Sequence, residues 1–319
     1  MRGRLTIRTL RLPRLLQCCA ALAAGAITAG ANGQTPVDRR PFRSGIEITS
    51  VTATVRDASG RLVSDLTRES FDVYEDGEPQ TITQFTRDRV PISLGVLLDI
   101  SDSMYGQRMQ DARKAVDRFL TELLDRSDEF LLLAFNHEAH PLTGWTSSPD
   151  VVRRALDGLR PSGGTAAYDA IVAALPFVER RSRERAALLL VSDGADTAST
   201  ASVRVVRSAL LRSDAFVYAI AIDSPEPQPI NTRVNPQALR EITNESGGRT
   251  EIVRSSADLE EATARIAEEL NSQYVLGDSS THGADGKFHS IRVKIANSDD
   301  RVRARTGYVA TPVRRRGPQ

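Results

Sequence analysis

The stretch "GVLLDISDSMYG", Gly95 to Gly106, runs apolar for four positions and then places Asp99, Ser101 and Ser103 on alternating residues. With Ile92 to Leu94 ahead of it, the run is continuously hydrophobic, as expected for a strand covered on both faces. A covered strand that ends in a carboxylate and two hydroxyls delivers hard oxygen donors to one edge of a parallel sheet.

The surrounding sequence supports that sheet. "EFLLLAFN" (129 to 136), "AALLLVSD" (186 to 193) and "AFVYAIAID" (215 to 223) read as further buried strands, with a short one at "RTEIVR" (249 to 254). Helical spacing occupies the intervals at 109 to 124, 150 to 159, 166 to 180, 203 to 213, 235 to 248 and 256 to 274. Pro176 interrupts the third of these, and Ser256 or Asp258 is the expected cap of the last. Strands alternating with helices predict an α/β fold with a doubly wound, mostly parallel sheet flanked by helices.

Outside this core the period changes to two. "IEITSVTATVRD" from Ile46 and "FDVYEDGEPQTITQF" from Phe71, with an Asp76-Gly77 turn, read as short antiparallel strands. "GKFHSIRVKIA" and "RVRARTGYVA" repeat the pattern at the other end. The economical arrangement is a β-sandwich built from both ends of the chain, with the α/β unit inserted. The expected segments are 46–88 and 273–311 for the two β parts and 89–272 for the α/β unit, with a linker at 32–45 and a basic tail at 312–319.

Residues 1–31 carry five arginines (Arg2, Arg4, Arg8, Arg11, Arg14) and no acid, and end in a charge-free Ala-rich run. A basic start, an apolar middle and a small-residue finish predict a secretory signal peptide, hence a periplasmic or extracellular protein. Retention as a membrane anchor is the alternative, but the run falls short of the ~20 strongly apolar residues of a span. Cleavage after Ala31 would turn the formal charge of +1 into about −4 and remove both cysteines, Cys18 and Cys19. The mature chain would then have neither disulfides nor thiolate chemistry. Gln17 stands where lipoprotein signals place a small residue, which argues against a lipidated Cys18. The near-zero charge gives no global electrostatic case for nucleic acid.

Two more oxygen donors belong with Asp99, Ser101 and Ser103. Asp193 ends the strand "LLLVSD", and Thr165 lies in the glycine-rich loop "PSGGTAAYD". All three loops should open beyond the carboxyl ends of the strands, where α/β sheets bind ligands. Two carboxylates and three hydroxyls suit Mg²⁺, with Mn²⁺ or Ca²⁺ as alternatives. Two aspartates only balance a dication, which leaves it able to take an outside carboxylate.

This set, Asp99-x-Ser101-x-Ser103 followed by Thr165 and Asp193, resembles the metal-ion-dependent adhesion site of von Willebrand factor A-like (VWA) domains. The resemblance covers about 89 to 272. It implies direct coordination by Ser101, Ser103 and Thr165, with Asp99 and Asp193 acting through water and a partner Asp or Glu completing the shell. The flanking stretches "VRDASGRLVSDLTRESFDVYEDGEPQTITQF" and "GYVA" resemble the exported VWA-related proteins of acidobacteria.

The expected function is therefore non-enzymatic: capture of a protein partner's acidic side chain through the metal. A scaffold role with a merely stabilising metal site is the first alternative. A metal-dependent hydrolase is the second; it lacks a His or Glu placed by sequence at the three loops. The chain has no G-x-S-x-G elbow, and "PSGGT" lacks the lysine of a phosphate-binding loop. In "FNHEAHP" a single spacer beyond Glu138 separates His137 from His140, so a strand-like segment points them to opposite sides, against a zinc protease site.

Overall fold

The computed structural model describes residues 48–223, 235–279, 282, 285–296 and 298–310. The expected signal peptide, linker and basic tail lie outside the described residues. In chain order the elements are β1 (Ile48–Arg56), β2 (Phe71–Glu75), β3 (Glu78–Gln80), β4 (Ile82–Thr86), β5 (Ile92–Asp99), α1 (Gln107–Arg118), β6 (Glu129–Phe135), β7 (Ala139–Pro141), α2 (Pro149–Asp157), α3 (Ala167–Val178), β8 (Arg185–Ser192) and α4 (Val203–Leu210). They continue with β9 (Phe216–Ile222), α5 (Pro236–Ser246), β10 (Thr250–Val253), α6 (Ser256–Asn271), β11 (Tyr274–Ser279), β12 (Phe288–Ile295), β13 (Arg301–Ala304) and β14 (Gly307–Val309).

The central sheet has the order β10-β9-β8-β5-β6-β7. Its strands are parallel except β7, a three-residue antiparallel edge that the sequence pattern did not reveal. Every residue of β5, β6, β8 and β9 is buried, which is why they read as unbroken apolar runs. One face, through Val96, Leu98, Leu132 and Leu189, packs on α1, α2 and α6. The other, through Leu97, Leu133, Leu188 and Leu190, packs on α3, α4 and α5. From β5 the chain first adds β6 on one side, then crosses to β8 on the other. The switch point of this doubly wound sheet therefore lies between β5 and β8.

Two antiparallel sheets of four strands flank it in sequence, ordered β13-β1-β11-β4 and β14-β12-β2-β3. Each mixes strands from both ends of the described chain, and one apolar cluster joins them through Val55, Phe71, Val73, Ile82, Tyr274 and Leu276. Phe71 and Tyr274 meet at a ring distance of 4.9 Å. The Asp76-Gly77 turn forms as expected, with φ of 51° and 90°. Two positive φ values give the turn whose twist matches a two-residue hairpin. The hairpin is β2–β3 alone: one residue later β4 pairs with β11 in the other sheet.

Several helix boundaries shift. The segment 109–124 splits into α1 and a π-type turn at 119–123 that buries Phe119 and Leu120. Pro176 does not break α3, which runs on to Val178; lacking an amide, it leaves the Val172 carbonyl without its helical i+4 donor. The α6 cap is Ser255, whose hydroxyl accepts from the Asp258 amide at 3.1 Å while Asp258 returns the bond in a capping box.

A buried polar knot joins α6 to the antiparallel strands. Glu269, fully buried on α6, accepts from Tyr218 Oη on β9 at 2.9 Å and from Arg56 Nη2 on β1 at 3.0 Å, and it pairs with Arg303 on β13. Burial alone would raise this carboxyl; the Arg303 charge and hydrogen bond, with Arg56 and Arg249, hold it below its usual value.

Candidate functional site

The end of β5 and the end of β8 are neighbours in register, with Leu98 opposite Val191. One step further on, Ser192 Oγ donates to Asp99 Oδ2 at 2.5 Å. The other oxygen of Asp99 accepts from the Ser101 amide at 2.8 Å, which turns the chain sharply out of the strand. The turn is extended at Ser101 and becomes a short 3-10 segment at 102–104, so Ser101 and Ser103 face the same way. Their hydroxyls lie 3.0 Å apart. Ser103 Oγ then donates to Asp193 Oδ1 at 2.6 Å. Asp99, Ser101, Ser103 and Asp193 thus form one continuous oxygen cluster at the switch point.

Thr165 arrives on a third loop held against the first. Asp102 N–H donates to the Gly163 carbonyl at 2.9 Å, and Ser162 N–H to the Ile100 carbonyl at 2.7 Å. Gly163 needs its left-handed backbone, φ 80°, and a methyl group there would collide with the His137 ring. Thr165 is buried, and its carbonyl accepts from the Thr197 and Ala198 amides at 2.9 and 3.0 Å. Its loop is therefore bonded both to the 100–102 turn and to the segment after Asp193. No side-chain bond ties Thr165 directly to the four-residue cluster.

The electrostatics are those of oxygens removed from water. Burial pushes the Asp99 carboxyl up to about 7, against the hydrogen bonds from Ser192 and Ser101, and the Asp193 charge adds to the rise. Burial likewise raises Asp193, with Ser103 and Arg108 opposing it. Asp193 Oδ2 is buried and accepts no hydrogen bond; its charge neighbour is Arg108 Nη1 at 3.4 Å. A buried carboxylate oxygen that accepts no hydrogen bond, beside another carboxylate and two hydroxyls, fits a hard dication well.

Sequence reasoning missed four contributors. Ser192 and Arg108 touch Asp99 and Asp193 directly. Asp196 and Asp169 knit the site loops together. Asp196 accepts from the Tyr168 amide at 2.9 Å and from Ser199 Oγ at 2.6 Å; Asp169 accepts from the Thr200 and Ala201 amides at 2.8 Å each. Only Ser192, one residue before Asp193 at a strand end, had a local signal. His137 also corrects an expectation: its ring stands against Gly163, so a histidine does border the Thr165 loop.

Comparison with known proteins finds similarity in sequence and in fold. The family model of the von Willebrand factor type A domain matches residues 94–195. Inter-alpha-trypsin inhibitor heavy chain H4 of Sus scrofa is 30% identical over 118 residues, which is 34% of this chain and 13% of that protein. This chain therefore spans only a small part of that curated relative. Among solved structures, a von Willebrand factor type A protein from Catenulispora acidiphila superposes with a TM-score of 0.51 at 14% identity, covering 76% of this chain and 75% of that one. The conserved hypothetical protein BatB from Bacteroides thetaiotaomicron gives a TM-score of 0.47 at 22% identity, over 56% of this chain and 98% of that one. The matched span starts inside β5 and ends just past Asp193, so the segment similar to a von Willebrand factor type A domain is the one whose strand ends, at β5 and β8, hold the oxygen cluster.

Proposed function

We propose that this is an exported, non-enzymatic binding protein that captures an Asp or Glu side chain of a protein partner through a divalent ion, Mg²⁺ first. Ser101, Ser103 and Thr165 would hold the ion by their hydroxyls, and Asp99 and Asp193 would balance its charge. A bound dication supplies the Lewis acidity to which a foreign carboxylate attaches. The observation that carries this reading is Asp193 Oδ2, a buried oxygen without a hydrogen-bond donor at the open end of a doubly wound sheet.

The protein's own groups suit binding better than turnover. Asp99 and Asp193 are held in place by hydrogen bonds from Ser192 and Ser103, which suits a static binding site. The His137 ring borders the Thr165 loop, so the same experiment assays hydrolysis. Export rests on the first 31 residues, and among the described residues no helix is long and apolar enough to cross a membrane.

The experiment is retention of envelope proteins on the immobilised chain in Mg²⁺, with and without EDTA, beside the Asp99→Ala variant. Partners lost on chelation and absent from the variant support adhesion. Retention indifferent to both sinks it. A thermal shift by Mg²⁺ with no retained partner favours the scaffold reading, and Mn²⁺-dependent turnover of phosphate or carboxylate esters favours the hydrolase.

A further inference from the structure

A second group of ligand-type side chains lies on the β14-β12-β2-β3 sheet, away from the β5–β8 switch point. Asp76 occupies the β2–β3 turn. Its Oδ1 accepts from the Ser290 amide at 2.8 Å and from Ser290 Oγ at 3.2 Å, which fixes the carboxylate. The remaining oxygen, Oδ2, is turned to two imidazoles. His289 Nδ1 on β12 is 2.8 Å away, and His282 Nε2 is 3.7 Å away. His289 is 4% exposed, and His282 stacks on its ring with centroids 4.2 Å apart and planes 16° from parallel. The ligand atoms of Asp76, His282 and His289 all lie within 4.8 Å of one another.

We propose that Asp76 Oδ2, His289 Nδ1 and His282 Nε2 bind a transition-metal dication of the zinc class. Three features of the cluster argue for this. Ligands about 2.0–2.1 Å from a tetrahedral ion stand roughly 3.3 Å from one another. The 2.8 and 3.7 Å separations bracket that value, so small side-chain movements close the site. Next, His289 Nε2 is 3.2 Å from Asp285 Oδ1. A carboxylate that receives the far N–H of an imidazole fixes the tautomer with its lone pair on Nδ1, the outer-shell arrangement usual for metal-bound histidine. Finally, two imidazoles and one carboxylate select zinc, nickel or copper over magnesium. The Asp99 cluster, made of oxygens alone, has the opposite preference, so the two sites would sort different ions. Three protein ligands leave one position to water or a further group. The ion would tie the β2–β3 turn to the start of β12 across 213 residues of sequence.

The bland alternative is an imidazolium held between Asp76 and Asp285, and titration calorimetry of the full chain separates the two. ZnCl₂ is added to chelator-stripped protein in excess Mg²⁺, with melting curves in parallel. One saturable zinc site and a raised melting temperature are expected. His282→Ala, at a half-exposed ring whose loss the fold should tolerate, and His289→Gln should each abolish the zinc increment. Asp285→Asn should weaken affinity about 10–100-fold. Asp193→Ala should leave zinc binding unchanged. Equal zinc affinity in wild type and His282→Ala, or no saturable binding by folded wild type, overturns the site.

Discussion

Ser103 Oγ donates to Asp193 Oδ1 at 2.6 Å, joining two loops that lie ninety residues apart. The bond exists because β5 and β8 are adjacent parallel strands, so that whatever follows each of them meets at the same edge. It also uses one oxygen of Asp193 and leaves the other beside Arg108.

That asymmetry gives opposite effects for two substitutions. Arg108 Nη1 competes electrostatically with a dication for Asp193 Oδ2, so Arg108→Gln is expected to tighten Mg²⁺ binding, on the order of tenfold at a surface-like dielectric. Asp193→Ala removes the carboxylate and should erase the Mg²⁺-dependent rise in melting temperature. Calorimetric titration of both variants is the check, and equal Mg²⁺ affinity in all three proteins would remove Asp193 from the site.

Ser192→Ala tests the support of Asp99. The hydroxyl supplies a 2.5 Å bond to a carboxylate that is 0% exposed. Its loss should cost about 1–3 kcal/mol, the penalty of a buried acceptor left unsatisfied. Chemical denaturation without added metal measures this. Mg²⁺ should recover part of the loss if it shields the same carboxylate.

The layered fold was legible because β5, β6, β8 and β9 are covered on both faces and therefore spell continuous apolar runs. That Asp99 and Asp193 meet at one sheet edge was legible for the same reason: each follows such an apolar run, and the two strands are neighbours. What stayed hidden is carried by pairing across the fold. Asp196 and Asp169 look like surface acids until Tyr168, Thr200 and Ala201 present their amides. The edge strand β7 is too short for a period to register. Asp76 and His289 become neighbours only through the pairing of β2 with β12, which no local pattern announces.

Asp196→Ala should act on the site from outside it. The carboxylate holds the start of α3 through Tyr168 N–H and the following loop through Ser199. Stranding these donors should cost roughly 1–3 kcal/mol and loosen the loop that carries Thr165. Lowered Mg²⁺ affinity together with lowered stability is the expected pair. Unchanged affinity in a destabilised variant would mean that Thr165 is positioned independently of Asp196.

Glu269→Gln addresses the joint between the layers. Three arginines, Arg56, Arg249 and Arg303, surround one fully buried carboxylate. Neutralising it leaves Arg56 and Arg303 without this carboxylate, while Arg249 keeps Glu251, with an expected loss of about 3–5 kcal/mol. The pH dependence has a definite sign. The folded carboxyl sits below its usual value near 4.5, so its stabilisation is complete above that pH and disappears as pH falls through the folded value. Wild type and variant should therefore differ most at neutral pH and converge in acid. Denaturant melts from pH 7 downward measure the gap. A gap that stays constant below pH 4 would mean that Glu269 gains nothing from its ionised form and that its packing alone holds α6 to β1 and β13.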